Sequence, residues 1–382
     1  MNRVVVLCWF GLFFFSLPSL AAQTELVFDS IPEQYRQLYR ALGYYQKMAE
    51  KKDWLRIPEK KDSIDLTTNS RFVQLLRRRL EKEDYLHSRV IFKSDNFDME
   101  VIAALKDFQR EHGIAETGYP GPQTLAALNI SAEERVKQIE WNLQRWKSFH
   151  PPATEYILVN IPNFEMQFYQ KDKVVMSMRV VVGKKDRQTP VFSAKLTHLV
   201  LNPTWHIPPN ILRKDVLPNV QKNPAYLQAS KMKVYGRDSS GQRIEIADTL
   251  VNWRNFSSKQ LPYEVIQEAG WDNALGQVKF IFPNTFSVYM HDTPIKKLFN
   301  ASAPLFSSGC VRLAEALTLA LFLLEREGWS QERLSRVLQS GRTVTVLLRQ
   351  PVMVYLQYFT CWVDEAGRLQ FRPDYYSRYK GH

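Results

Sequence analysis

The residue types with the most chemical reach lie close together in two stretches, His291-Asp292-Thr293-Pro294 and Ser307-Ser308-Gly309-Cys310-Val311-Arg312. A deprotonated thiol is a strong nucleophile, and an imidazole can take the thiol proton and hand it to a leaving amine. Cys310 is expected in a Ser/Gly turn just before a helix of about Ala314 to Glu327, where unpaired N–H groups and the helix dipole stabilise a thiolate. Gly309 lets the backbone turn so that its N–H and that of Cys310 face a developing oxyanion, with Ser307 and Ser308 completing the loop. Arg312 offers a bidentate anchor for a carboxylate, or a brace for the loop. A metal site is less well supported, because His291, Asp292 and Cys310 supply too few suitably spaced ligands. These residues describe a cysteine-dependent acyl-transfer site.

Such a site needs a rigid support, and the flanking sequence supplies one by its periodicity. Phe164, Met166 and Phe168 alternate with polar residues, as do Met176, Met178 and Val180, and Gln170-Lys171-Asp172 joins the two runs as a hairpin. Further strands are expected at Leu196–Leu201, Val278–Phe282, Phe286–Met290, Thr343–Leu348 and Val352–Thr360. Between Pro208 and Gly270 the period is lost, which suggests an inserted subdomain or lid. Before Pro151-Pro152 the period is helical: Tyr35, Leu38 and Leu42; Phe72, Val73, Leu76 and Leu80; Val101, Ile102, Leu105 and Phe108. Ser131-Ala132-Glu133-Glu134 reads as a capping box. Arg77-Arg78-Arg79 reads as a solvated helix face.

The compartment decides what the charge means. Met1-Asn2-Arg3, an apolar run from Val4 to Leu17, and small residues at Ser19 and Ala21 form a secretory signal with cleavage expected after Ala21. The run is shorter than the roughly 20 residues that span a bilayer, and no later segment is apolar enough to cross one. The 382-residue chain carries a net charge of +12, and losing residues 1–21 removes only Arg3, leaving +11. On an exported, periplasmic chain that charge suits an anionic cell envelope rather than nucleic acid. Three cysteines exclude a disulfide scaffold, and Cys8 leaves with the signal. Cys361 has no assigned role, and Cys310 is expected to be a free thiol.

At its chemical residues the sequence resembles the L,D-transpeptidase (YkuD) catalytic domain, whose pattern is a His followed by Ser-x-Gly-Cys-(Ile/Val)-Arg. It is most similar to the YcbB-like branch, through Val159-Asn160-Ile161-Pro162, Val182-Gly183-Lys184, Thr189-Pro190-Val191-Phe192, Leu201-Asn202-Pro203-Thr204-Trp205, Asn273-Ala274-Leu275-Gly276 and His291-Asp292-Thr293-Pro294. Phe108-Gln109-Arg110-Glu111-His112-Gly113, with Gly118, Gly121-Pro122 and Thr124, resembles a small peptidoglycan-binding module, although Thr117 and Pro120 depart from its pattern. The resemblance implies an α+β chain. A signal occupies 1–21, and a helical scaffold occupies 22–150 with a three-helix module at about 68–130. A mixed β-sheet catalytic domain follows at 151–382, with a capping subdomain at about 208–270.

That resemblance implies a peptidoglycan cross-linking acyltransferase of the periplasm. Cys310 would be the nucleophile and His291 the base, with Trp205, Asn273, Asp292 and Thr293 as substrate contacts. It also implies tetrapeptide donors and diamino-acid acceptors, possible partnership with other wall synthases, carbapenem sensitivity, and no cofactor. Hydrolysis at the same site, as a carboxypeptidase or cross-link hydrolase, and a non-catalytic wall-binding scaffold are the alternatives. A papain-like protease is disfavoured because its nucleophile precedes its His, whereas His291 comes first here.

Overall fold

The computed structural model describes residues 33–58, 71–87, 96–152, 154–256 and 262–379. The expected signal at 1–21 lies outside the described residues. No helix among those described is long and apolar enough to cross a membrane.

The helical half comprises α1 (Glu33–Glu50), α2 (Arg71–Lys82), α3 (Met99–Glu111), α4 (Pro122–Leu128) and α5 (Ala132–Lys147). The capping box forms: the Ser131 hydroxyl accepts the Glu134 amide at 3.2 Å, and the Glu134 carboxylate accepts the Ser131 amide at 3.1 Å. Helices α2, α3 and α4 enclose one cluster, around Val73, Leu76, Leu105 and Phe108. The run Arg77-Arg78-Arg79 is a solvated face only at Arg78. Arg79 is fully buried, paired with Glu83 at 3.0 Å and stacked on the Trp54 ring, while Arg77 bonds to Asp98. Their long stems cross the packed side of α2, so polar heads reach partners that the 3.6-residue period does not reveal.

The second half is built on β1 (Glu155–Asn160), β2 (Glu165–Gln170), β3 (Lys173–Gly183) and β4 (Phe192–Leu201). The β2–β3 turn has positive φ at both Lys171 and Asp172, 48° and 62°, which is the twist a tight hairpin needs. An insert follows: β5 (Trp205–His206), α6 (Pro209–Ile211), a π-helical turn at Leu212–Val216, α7 (Leu217–Lys222), α8 (Tyr226–Ala229), β6 (Met232–Arg237), β7 (Arg243–Ile246) and β8 (Glu264–Gln267). It has its own sheet, ordered β5-β8-β6-β7, and its own core around Leu217, Leu227, Val234 and Trp253.

The main sheet resumes with β9 (Val278–Ile281), β10 (Met290–His291), β11 (Leu305–Ser307) and β12 (Val311–Leu313). Then come α9 (Ala316–Glu325), α10 (Gln331–Gln339), β13 (Val344–Gln357), β14 (Cys361–Val363) and β15 (Leu369–Phe371). Strands run β11-β3-β12-β10-β9-β4-β13-β1-β2, and β2 pairs again with β3, so eight of the nine strands close on themselves and β11 adds to β3 outside the ring. Closure removes the edges of those eight strands and leaves only the short β11 as an edge among the described residues. Helix α9 buries Leu319, Ala320, Leu323 and Leu324 against the same core as Phe168, Phe280 and Val354.

Three local expectations differ from what is seen. The segments at 343–348 and 352–360 form one strand with an irregularity between Leu347 and Val352. Of Phe286–Met290 only the end is strand, since Asn284 folds its side chain back onto the amides of Phe286 and Val288. The helical half is also completed from afar: Phe359, Cys361 and Phe371 share a core with Leu38, Ile139 and Trp146.

Candidate active site

Strand β10 runs between β9 and β12, and its register places His291 opposite Lys279 on one side and Arg312 on the other. Met290, Val311 and Phe280 alternate to the opposite face and are fully buried, which locks that orientation. The Val311 amide bonds to the Tyr289 carbonyl at 3.1 Å, so Cys310 stands beside Tyr289. Thus Tyr289, His291, Cys310 and Arg312 share one face and line a cleft of about 850 Å³. Part of its wall is the insert, through Trp205, Ile211 and Asp215.

Cys310 precedes a strand, not a helix. Helix α9 begins only at Ala316, because Val311–Leu313 is drawn into the sheet between β3 and β10. The thiol therefore lacks a helix N-terminus, and its surroundings act through side chains. Burial pushes the Cys310 thiol up, opposed by the Tyr289 main chain and hydroxyl and by the charges of Lys279 and Arg312. Among the described residues neither cation has a carboxylate partner; Lys279 lies 3.9 Å from the Tyr289 ring centroid. The Tyr289 hydroxyl interacts with the thiol and with the Trp205 indole, and burial keeps it protonated.

His291 is buried, and its Nδ1 lies 2.6 Å from the Asp292 carbonyl oxygen. A carbonyl only accepts, so Nδ1 carries the hydrogen and Nε2 keeps its lone pair. Burial, then Arg312, pull the imidazole down to about 3; Lys279 adds to this, and the Asp292 bond opposes it. The site at rest is a neutral imidazole beside a neutral thiol.

The nucleophile loop is held tightly. The Ser307 hydroxyl donates to the Cys310 carbonyl at 2.5 Å and accepts the Gly309 amide at 3.1 Å. Gly309 sits at φ +116°, a conformation that side-chain-bearing residues rarely adopt. Its N–H is thereby committed to Ser307, contrary to the expectation that it faces an oxyanion; the Cys310 N–H has no backbone partner among the described residues. Ser308 lines the cleft and accepts from Arg187 at 2.8 Å, while Arg187 also grips Asp215 of the insert at 2.5 and 3.0 Å.

Of the four expected substrate contacts, only Trp205 lines the cleft. Asn273 is fully buried, donating to the Glu268 carbonyl at 2.8 Å and accepting the Leu275 amide at 2.8 Å, so it shapes its own loop. Asp292 faces away, paired with Lys296 at 2.7 Å and accepting the Gln277 amide at 3.0 Å. Thr293 is buried and accepts the Ile295 amide at 3.3 Å. His291 and the two residues after it thus divide: one faces the cleft, two hold the turn. Sequence reading missed Lys279, Tyr289 and Arg187. Alternation in Val278-Lys279-Phe280 marks Lys279 as facing away from the core, but only the β9–β10 register brings it to His291. Among the described residues no three His, Cys, Asp or Glu side chains cluster as a metal ion would require.

A family model of the L,D-transpeptidase catalytic domain (YkuD) matches residues 154–346, half of the chain. The chain belongs to that family, whose members cross-link peptidoglycan. Residues 69–128 match a second model, named "Putative peptidoglycan binding domain". A curated protein of Haemophilus influenzae named "Putative L,D-transpeptidase" is 36% identical over 259 residues, covering 66% of this chain. The chain spans about half the length of that relative, 51%. Among solved structures, an L,D-transpeptidase from Stackebrandtia nassauensis aligns at 12% identity and TM-score 0.27, covering 78% of this chain and 96% of that one. The catalytic domain of an E. faecium L,D-transpeptidase aligns at 15% identity and TM-score 0.23, covering 53% and 98%.

Proposed function

We propose that this protein is a periplasmic L,D-transpeptidase that joins peptidoglycan stem peptides between third-position diamino acids through a Cys310 thioester. The observation that carries the reading is the sharing of one cleft by the Cys310 thiol and a His291 whose Nδ1 is already committed, leaving Nε2 as a base. Cys310 sulfur attacks the carbonyl carbon of the third residue of a donor tetrapeptide while the thiol proton passes to Nε2. The tetrahedral oxyanion collapses, the bond to the terminal D-alanine nitrogen breaks, and Nε2 returns the proton to that nitrogen. The side-chain amine of a second stem then attacks the thioester, loses a proton to Nε2, and releases the thiol.

At rest the imidazole is neutral with its Nε2 lone pair free, but burial and Arg312 make it a weak base, so proton transfer is uphill and depends on stabilising the anions as they form. The charges of Lys279 and Arg312, which have no carboxylate partner among the described residues, favour each anion on that face: thiolate, oxyanion and stem carboxylate. The module at residues 69–128 supports peptidoglycan as the partner. Incubation of the protein with disaccharide-tetrapeptides is expected to give dimers linked third residue to third residue, and Cys310→Ala to give none. Carbapenem treatment is expected to add one acyl group at Cys310. Monomers released from supplied dimers, without new dimers, would make the protein a hydrolase. No mass change with wild-type protein would refute the acyl-transfer reading.

A further inference from the structure

Three of the four polar backbone groups flanking the nucleophile are tied down, and one tie comes from a residue outside the Ser307–Arg312 stretch. The Gly309 amide and the Cys310 carbonyl are both held by the Ser307 hydroxyl. The Gly309 carbonyl accepts the Thr189 hydroxyl at 2.9 Å. Among the described residues only the Cys310 N–H is left without a hydrogen-bond partner.

The carbonyl of Gly309 and the N–H of Cys310 belong to one planar trans peptide, so they point in opposite directions. Thr189 is fully buried behind the loop. Holding the carbonyl toward Thr189 therefore aims the Cys310 N–H away from the core, to the side on which Cys310 lines the cleft. Without that bond the plane would be free to turn, because the residue at its head is a glycine.

The direction of the Thr189 bond is itself fixed. Its oxygen already accepts the Gly183 amide at 2.9 Å, so its hydrogen is available for the Gly309 carbonyl. The Tyr376 hydroxyl donates to the Gly183 carbonyl at 2.6 Å, and Arg378 donates to the Thr189 carbonyl at 3.2 Å. Gly183 admits this loop because it lacks a side chain: a Cβ there would overlap the Arg187 carbonyl and lie 2.7 Å from the Thr189 nitrogen.

We propose that Thr189 is a positioning residue for acyl transfer, whose hydroxyl sets the plane of the Gly309–Cys310 peptide and holds the Cys310 N–H as the donor that meets the oxyanion. This rests on Cys310 being the nucleophile. Loss of an oxyanion donor costs about 100- to 1,000-fold in kcat, so a misaimed donor should cost about 10- to 100-fold.

The test compares two reactions of the same thiol in the full-length protein. Acylation, by a tetrapeptide donor or a carbapenem in single turnover, passes through an oxyanion; alkylation by iodoacetamide does not. Thr189→Val is expected to slow acylation about 10- to 100-fold, with KM and the alkylation rate changed less than two-fold. Thr189→Ser, which keeps the hydroxyl, should restore acylation to within about three-fold of wild type. Equal acylation by Thr189→Val and wild type overturns the proposal, as does alkylation that falls in step with acylation or a Thr189→Ser variant as slow as Thr189→Val. If Thr189→Val does not fold, Tyr376→Phe serves in its place: acylation slowed with alkylation unchanged supports the proposal, and both unchanged overturns it. Wild-type protein that is acylated by a carbapenem but makes no cross-linked product refutes the assigned substrate, while the Thr189 comparison stays readable.

Discussion

The imidazole of His291 should remain a base far into acid. At pH 5 an ordinary histidine, titrating near 6.5, is about 97% protonated, and a reaction needing the free base slows about 30-fold relative to pH 8. Burial and the flanking Arg312 bring His291 down to about 3, so about 99% of it is still neutral at pH 5. The acylation half-reaction, followed by stopped-flow mixing with a carbapenem so that no acceptor amine is involved, should lose less than two-fold between pH 8 and pH 5 through His291. Stability carries the complementary signature. The unfolded chain takes up a proton on His291 below about 6.5 and the native chain does not until about 3, so stability falls as pH drops through that window. The slope is at most about 1.4 kcal/mol per pH unit, or about 2 kcal/mol lost by pH 5. Urea titrations of wild type and His291→Gln at pH 7.5 and pH 5 isolate this contribution, because the variant lacks the group. An acylation profile with an inflection between pH 6 and 7, or equal pH sensitivity of the two proteins in urea, would refute the argument.

Arg187→Ala removes the bonds joining Asp215 to Ser308. Because Asp215 is partly solvated, the loss is about 1 kcal/mol, and amide exchange across Pro209–Lys222 should quicken about five-fold; unchanged exchange would show that the insert is held elsewhere. Arg79→Met leaves Glu83 buried without its partner and should cost about 3–5 kcal/mol in urea unfolding, with Arg79→Met/Glu83→Met recovering a large part; a single variant within 1 kcal/mol of wild type would argue against a buried pair. In native protein iodoacetamide should label Cys310, whereas Cys361, fully buried with its thiol pushed well up, should react only after denaturation. Mass mapping that finds Cys361 labelled first would contradict its burial.

What the sequence could reveal was set by the range of the interactions. His291 and Cys310 were legible because their chemistry is carried by residue type, and the β2–β3 hairpin because its turn and alternation are local. The setting of Cys310 was not. A strand of three residues, Val311–Leu313, looks like the approach to a helix until its neighbours β3 and β10 are known. Asn273, Asp292 and Thr293 carry the polar groups of substrate contacts, yet their bonds close local turns, and polarity alone does not separate the two uses. Arg79 looked solvated because a charged head on a long stem is read by its charge, whereas Trp54 and Glu83 enclose it. The roles of Lys279 and Thr189, residues that lie in stretches shared with the family, were beyond reach for one reason: each acts across a strand pairing or a tertiary contact far from Cys310 in the chain.

Tyr376 and Arg378 brace Gly183 and Thr189, which in turn hold the Gly309 carbonyl beside Cys310, and both lie downstream of Cys310 in the chain. In a chain made from its N-terminus the thiol is therefore synthesised before the residues that complete its surroundings. Until β13 has joined the sheet and the segment beyond it has returned to Gly183 and Thr189, the Gly309–Cys310 peptide lacks the outer part of its support. Chemical competence arrives late in assembly, as a property of the finished tertiary structure. A folding intermediate that already contains the β3–β12 pairing would carry the same cysteine without its aim.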